Sequence, residues 1–107
     1  LVRALYNLLA NAIQAVRPGE GRVRLDALVD GHMIVLRVRD NGSGMNAEQL
    51  ERVFEPGFTT KEPDRGTGLG VPIARSIVEA HGGTMWYESE PGHGTCAVIN
   101  LPLVREV

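Results

Sequence analysis

Two runs in which apolar and other residues alternate, 22–29 and 32–39, flank the dipeptide Asp30-Gly31. That dipeptide favours a two-residue type I′ turn, so the runs are expected to pair as an antiparallel hairpin in one register. Val23 then faces Val38, Leu25 faces Leu36 and Ala27 faces Ile34, which leaves one side of the ribbon apolar. A ribbon with one apolar side needs a second layer to cover it. The other side sets Arg22 opposite Arg39 and Arg24 opposite Arg37, like charges that repel. In the plain case these long side chains splay into water or reach Asp26. In the sharper case an acidic segment of the parent protein docks on them.

The covering layer is legible on both sides of the hairpin. Residues 1–17 carry an apolar stripe at helical spacing, Leu1, Leu5, Leu8, Leu9, Ala12 and Val16. Asn7 and Asn11 lie on the opposite side, four apart and so stacked on one face. Asparagine is a poor helix former, and two in mid-helix call for a reason. Either they belong to a solvated face with Arg3 and Gln14, or their amide oxygens ligate a hard cation such as Mg²⁺. Pro18-Gly19-Glu20-Gly21 ends this helix.

A second helix follows the run Arg65-Gly66-Thr67-Gly68-Leu69-Gly70. Glycine at alternate positions bares a turn to close approach by another molecule. Pro72 suits a first helical turn, Ile73, Ala74, Ile77 and Val78 recur at helical spacing, and Gly82-Gly83 ends the helix. A glycine-rich turn feeding a helix N-terminus is either a phosphate cradle or an ordinary turn before a core helix.

Between these elements, Asp40-Asn41-Gly42-Ser43-Gly44-Met45 ends the hairpin. Asp40 serves a plain Asx turn, or offers its carboxylate to an exocyclic amine beside an apolar cavity. The spacing Gly42-x-Gly44-x-x-Ala47 imitates a dinucleotide fingerprint but lacks its βαβ setting. A short helix at 47–53 with Asn46 as N-cap is expected next. The polar stretch 62–65 then serves as a lid, with Lys61 or Arg65 reaching phosphate oxygens, or as a plain surface loop. Strands at 84–89 and 95–101 close the chain around Glu90-Pro91-Gly92-His93-Gly94. The order predicts an α+β, two-layer sandwich, with helices on one face of a mixed, largely antiparallel sheet.

Composition narrows the function. The chain of 107 residues suits one domain, 1–107, and a net charge of −2 argues against a nucleic-acid binder. The single cysteine, Cys96, excludes an internal disulfide and suits the reducing cytoplasm. No apolar run approaches the roughly 20 residues of a membrane span. A chain that opens inside a helical pattern is expected to be a fragment of a longer protein.

In order along the chain, Asn7–Ala12 (NLLANA) resembles the N box of a known family, and Asp40–Met45 (DNGSGM) its first glycine box. Phe54–Lys61 (FEPGFTTK) is similar to the F box, Gly66–Gly70 (GTGLG) to the second glycine box, and Gly92–Thr95 (GHGT) to the final G-x-G-T element. Together they resemble the catalytic ATP-binding domain of bacterial sensor histidine kinases, in the GHKL superfamily with the Bergerat fold. The resemblance covers nearly the whole chain. It implies that Asn11, assisted by Asn7, holds Mg²⁺ at the phosphates. It implies that Asp40 receives the adenine amine, that Thr95 joins through water, and that Gly42 and Gly44 make room for the ring. Backbone from Gly66 through Thr67, Gly68 and Leu69 to Gly70 would hold phosphate, with Lys61 or Arg65 as charge partners.

The resemblance further implies phosphoryl transfer to a histidine in a two-component system, with a response regulator downstream of the full-length kinase. Hydrolases of the superfamily place glutamate where Asn7 stands, so hydrolysis is expected to be poor. His32, His81 and His93 lie outside any acceptor-like setting, and the acceptor is expected on a separate dimerisation domain of the same protein. His81 is expected to cap a helix end. The fragment itself is expected to be a monomer, its parent a homodimer that a membrane anchor can hold in the cytoplasm. Three departures stand out. Gly57 replaces a bulky F-box residue and loosens the lid. Gln14 replaces a frequent basic residue. Ala97 replaces a frequent phenylalanine, leaving room for Trp86 or Met85.

Overall fold

The computed structural model describes residues 1–56 and 70–103. In chain order the elements are α1 (Val2–Ala15), β1 (Val23–Asp30), β2 (Met33–Asp40), α2 (Ala47–Arg52), α3 (Gly70–Ala80), β3 (Thr84–Glu90) and β4 (Gly94–Pro102). The strands form one sheet in the order β1-β2-β4-β3, and each of its pairings is antiparallel. This is the expected α+β sandwich: α1 and α3 pack on one another and on the sheet.

The core is where the two layers meet. Ala4, Leu8 and Ala12 of α1 recur every fourth residue and are buried, as are Ala74 and Val78 of α3. They meet Val38, Met85, Ala97, Ile99 and Leu101 of the sheet. Full burial of a side chain such as Leu8 or Ile99 contributes about 1.5–3 kcal/mol. The α3 C-terminus closes as a Schellman motif. Gly82 has φ 78° and its N–H donates to Glu79 O, while the Gly83 N–H donates to Val78 O at 3.0 Å. The expected cap by His81 is present too, with its Nδ1 2.8 Å from Ile77 O. A carbonyl can only accept, so Nδ1 carries the proton.

The first hairpin corrects the expected register. Asp30 pairs with Met33, so the turn residues are Gly31 and His32 rather than Asp30 and Gly31. Gly31 has φ 61° and, among the described residues, no non-glycine residue has a positive φ, the pattern of a type II′ turn. Glycine at the first central position satisfies that turn without forcing an aspartate to positive φ. Both strands consequently sit one residue later than expected, and partners shift by two: Leu25 faces Val38 and Ala27 faces Leu36. A shift of two leaves the same residues on each face. The expected Arg22–Arg39 and Arg24–Arg37 pairs are not formed. Arg39 faces Arg24, and Arg37 faces Asp26. Asp26 also takes an ion pair from Arg24 Nε at 2.9 Å.

Trp86 needs correction as well. It lies beside Val98 on the face away from the helices and is partly exposed, whereas Met85 is in the core. The residue that stands across from Ala97 is Tyr87. Its ring occupies the side on which a small residue leaves room.

Candidate functional site

At one end of the sheet, Asp40 of β2, Thr95 of β4 and Ser89 of β3 form a row across three strands. The loop after β2 folds over this row. Asp40 Oδ1 accepts the Gly42 N–H at 2.9 Å, so the Asx turn is made, and the Thr95 backbone also hydrogen-bonds the carboxylate. Burial pushes the Asp40 carboxyl above the ordinary 3.8, and these two hydrogen bonds offset part of that rise. A carboxyl group half-buried at the end of three strands is well placed to accept a hydrogen bond from a ligand amine.

The loop glycines are explained by backbone approach. A Cβ on Gly42 would stand 2.5 Å from Ala15 O at the end of α1. Gly44 has φ 74°, and a Cβ there would collide with the Glu90 carbonyl. Gly94 has φ 84°, and its Cβ would collide with the Asp40 carbonyl. The Gly92 N–H donates to Ser43 O at 2.7 Å. The β2–α2 loop and the β3–β4 turn are therefore locked backbone to backbone, with no room for a side chain at either contact. The N-cap of α2 is as expected: Asn46 accepts from Gln49 N, and Gln49 returns a bond to Asn46 N.

Asn7 and Asn11 sit half-buried on the flank of α1 that faces the start of α3. Asn7 Nδ2 donates to Gly70 O at 3.3 Å, which ties the two helices together. Gly70, expected in the glycine turn, is already the first residue of α3. A Cβ there would meet both asparagines at ordinary contact distance, 3.9 Å. These positions are thus not a solvated face shared with Arg3 and Gln14. Lys61, Arg65, Gly66, Thr67, Gly68 and Leu69, and with them the lid and its Gly57, lie outside the described residues.

Tyr87 joins the two halves of the site. Its phenol hydrogen-bonds the Asn11 side chain and feels the charge of Asp40, while burial raises its pKa. Phe54 packs against the Tyr87 ring with centroids 5.9 Å apart, and the Arg75 guanidinium lies 4.3 Å from the Phe54 centroid. Sequence reasoning missed both Tyr87 and Ser89. The available signal was period two: counting from Met85 in the core, alternate residues of β3 place Tyr87 and Ser89 on the helix side. A hollow of about 250 Å³ lies at this end of the sheet, lined by Asp40, Ser89 and Thr95 together with Arg39, Glu88 and Cys96. It does not reach Asn7 or Asn11, and Arg39, Cys96 and Glu88 pair across the strands on the face turned away from the helices.

Residues 1–105 match the family described as histidine kinase-, DNA gyrase B-, and HSP90-like ATPase. Sporulation kinase B of Bacillus subtilis is 39% identical over 102 residues, covering 95% of this chain and 23% of its own length. The sensor histidine kinase ZraS of Klebsiella oxytoca is 44% identical over 104 residues, covering 96% and 22%. Among solved structures, the mycobacterial sensor histidine kinase MprB superposes with a TM-score of 0.81 at 32% identity, covering 94% of this chain and 68% of that one. The nucleotide-free catalytic domain of histidine kinase ThkA also gives 0.81, at 33% identity, covering 94% and 64%. The chain belongs to the histidine kinase-, DNA gyrase B-, and HSP90-like ATPase family, as a catalytic domain of the sensor histidine kinase kind. It spans less than a quarter of the length of these two curated relatives. Among the described residues no helix is long and apolar enough to cross a membrane.

Proposed function

We propose that this domain binds Mg·ATP between α1, the β2–α2 loop and α3, and donates the γ-phosphoryl group to a histidine on a separate phosphoacceptor domain of its parent. The observation that carries this reading is the half-buried Asp40 carboxyl, in a row with Thr95 and Ser89 at one end of the sheet, together with Asn7 and Asn11 of α1 beside the first residue of α3. On this reading the asparagine flank takes the phosphate end of the nucleotide and the carboxyl takes the amine of its base. Asp40 receives the adenine amine, and Thr95 adds a water-mediated contact. The α3 N-terminus, with Gly70 beside both asparagines, offers N–H groups and a positive dipole end to phosphate. Lys61 and Arg65, with backbone from Gly66 to Leu69, supply further phosphate contacts.

The donor set fits magnesium. Asn7 and Asn11 carry neutral amide oxygens, hard ligands suited to an ion that keeps most of its waters. With its Nδ2 committed to Gly70 O, Asn7 has its oxygen left for a ligand. Bound Mg²⁺ supplies charge neutralisation on the phosphates. The chain's own task is to position ATP and exclude other geometries. A neutral imidazole nitrogen attacks the γ-phosphorus, the bond to the β-phosphate oxygen breaks, ADP leaves, and the imidazole proton passes to solvent. Asn7 is not a base that activates water, so transfer outruns hydrolysis.

The parent is then a homodimeric kinase that passes the group to a response regulator, with this domain on the cytoplasmic side. Incubation with γ-labelled ATP and a supplied phosphoacceptor domain should label that domain at histidine, and the isolated chain should release phosphate slowly. Tight ATP binding without label transfer would favour a regulatory nucleotide-binding module. Steady phosphate release would favour an ATPase.

A further inference from the structure

The sheet face turned away from the helices carries its charge unevenly. One row across it is Arg24, Arg39, Cys96 and Glu88, and the next is Asp26, Arg37, Val98 and Trp86. Arg24 is directly opposite Arg39, and Arg37 lies two residues from Arg39 on the same face, so three guanidiniums share one corner. Like charges placed directly opposite one another destabilise a sheet. Asp26, opposite Arg37, is taken by Arg24 at 2.9 Å. Among the described residues no ion pair includes Arg37 or Arg39. The whole chain has a net charge of −2, so this corner is basic against the balance of the molecule.

Beside that corner the same face is apolar. Val98 is 2% exposed although, among the described residues, no helix packs on this face, so its long neighbours in register, Arg37 and Trp86, shield it. Trp86 itself stays partly exposed, with its indole N–H donating to Glu88 at 3.2 Å, and Leu28 of β1 lies exposed on the same face. We propose that this face docks an acidic segment of a protein partner. Its carboxylates pair with Arg24, Arg37 and Arg39, and an apolar residue beside them packs on Trp86. Guanidinium forks match carboxylates in geometry as well as charge. A lipid surface or a phosphate backbone, negative throughout, would also press on Asp26 and Glu88. A peptide can place its acids at one corner and its apolar residue at the other.

Trp86 is the chain's only tryptophan, so its emission reports on this face directly. The probe is a short glutamate-rich peptide with a central leucine, titrated into the wild type, Arg37→Glu, Arg39→Glu and Arg52→Glu, with folding checked by thermal melts. In the wild type the emission should move to shorter wavelength as the peptide is added, and high salt should weaken the binding. Each of Arg37→Glu and Arg39→Glu should weaken it about fivefold to tenfold, the weight of an exposed ion pair lost and reversed. Arg37→Gln and Arg39→Gln, which remove charge without reversing it, give the same test if a reversal fails to fold. Arg52→Glu, on α2 in the helix layer, should bind as the wild type does, and the same peptide with glutamine for glutamate should bind weakly. No shift with the acidic peptide, or equal affinity in the wild type and the variants at Arg37 and Arg39, overturns the proposal. So does a shift produced by phosphatidylserine vesicles and not by the peptide, which would assign the face to a lipid surface. Emission that shifts with protein concentration alone would assign it to a second copy of the chain and overturn the proposal too.

Discussion

Strands β4 and β1 are nearly equal in length, nine and eight residues, and both flank β2, yet they differ sharply in burial. On β4, Val98 and Ile99 are 2% and 1% exposed, whereas on β1, Leu28 and Val29 are 51% and 63% exposed. Hydrophobicity does not separate them. Position does: β4 has a strand on each side, and its Ala97, Ile99 and Leu101 lie under the helix layer, while β1 is an edge reached by little of α1. The candidate site is built where the buried strand begins. Thr95 on β4 is flanked by Asp40 and Ser89, so the residues proposed to read the base inherit the rigidity of the core. The β1 hairpin is attached to that core from one side only.

The widest contrast should appear in stability. Ile99→Ala is expected to cost about 2–5 kcal/mol in urea unfolding, while Val29→Ser should stay within about 0.5 kcal/mol. Similar costs at both positions would mean that β1 is covered as β4 is.

A second contrast uses two glycines that share a positive φ. Gly31, in the β1–β2 turn, has φ 61° and open space, whereas Gly44 has φ 74° and the Glu90 carbonyl where a Cβ would go. Alanine at Gly31 should cost about 1–2 kcal/mol from backbone conformation alone. Alanine at Gly44 should cost more and also weaken nucleotide binding, because the loop must move away from Glu90. Equal effects in melts and binding would show that the loop is not locked there.

The smallest effect is electrostatic. Asp40 is raised above 3.8 chiefly by burial, so the folded chain holds this proton at pH values where the unfolded chain has released it. Stability therefore falls as pH rises from that ordinary value through the folded one, and levels off above it. Asp40→Asn lacks this fall and should gain on the wild type across the same window in melts at stepped pH. A constant difference between the two would place Asp40 in a water-like setting.

Much of this was legible in residue order. Alternation located the strands, the four-residue spacing of Asn7 and Asn11 placed them on one flank of α1, and Gly82-Gly83 marked the helix end. The hairpin register was missed because Asp30-Gly31 and Gly31-His32 are both good turns, and both put the same residues on each face. Strand alternation alone cannot choose between them. Trp86 was misplaced because bulk suggested core, whereas parity puts it with Val98 on the other face. Ser89 and Tyr87 stayed hidden because their roles depend on partners distant in sequence, Met45 for one and Asn11 for the other. The close approach of Ala15 and Glu90 backbone to Gly42 and Gly44 was likewise hidden, because those partners are distant in sequence.

The central claim is that Asp40 and the asparagine flank together make a nucleotide site. Calorimetric titration with ATP, with and without Mg²⁺, on the wild type and on Asp40→Asn tests it most directly. The account predicts that the folded wild type binds ATP and that Mg²⁺ strengthens binding. It also predicts that Asp40→Asn weakens binding by about tenfold or more, as befits loss of a charged acceptor. Binding that ignores both Mg²⁺ and Asp40→Asn, or no binding by a folded wild type, would contradict it.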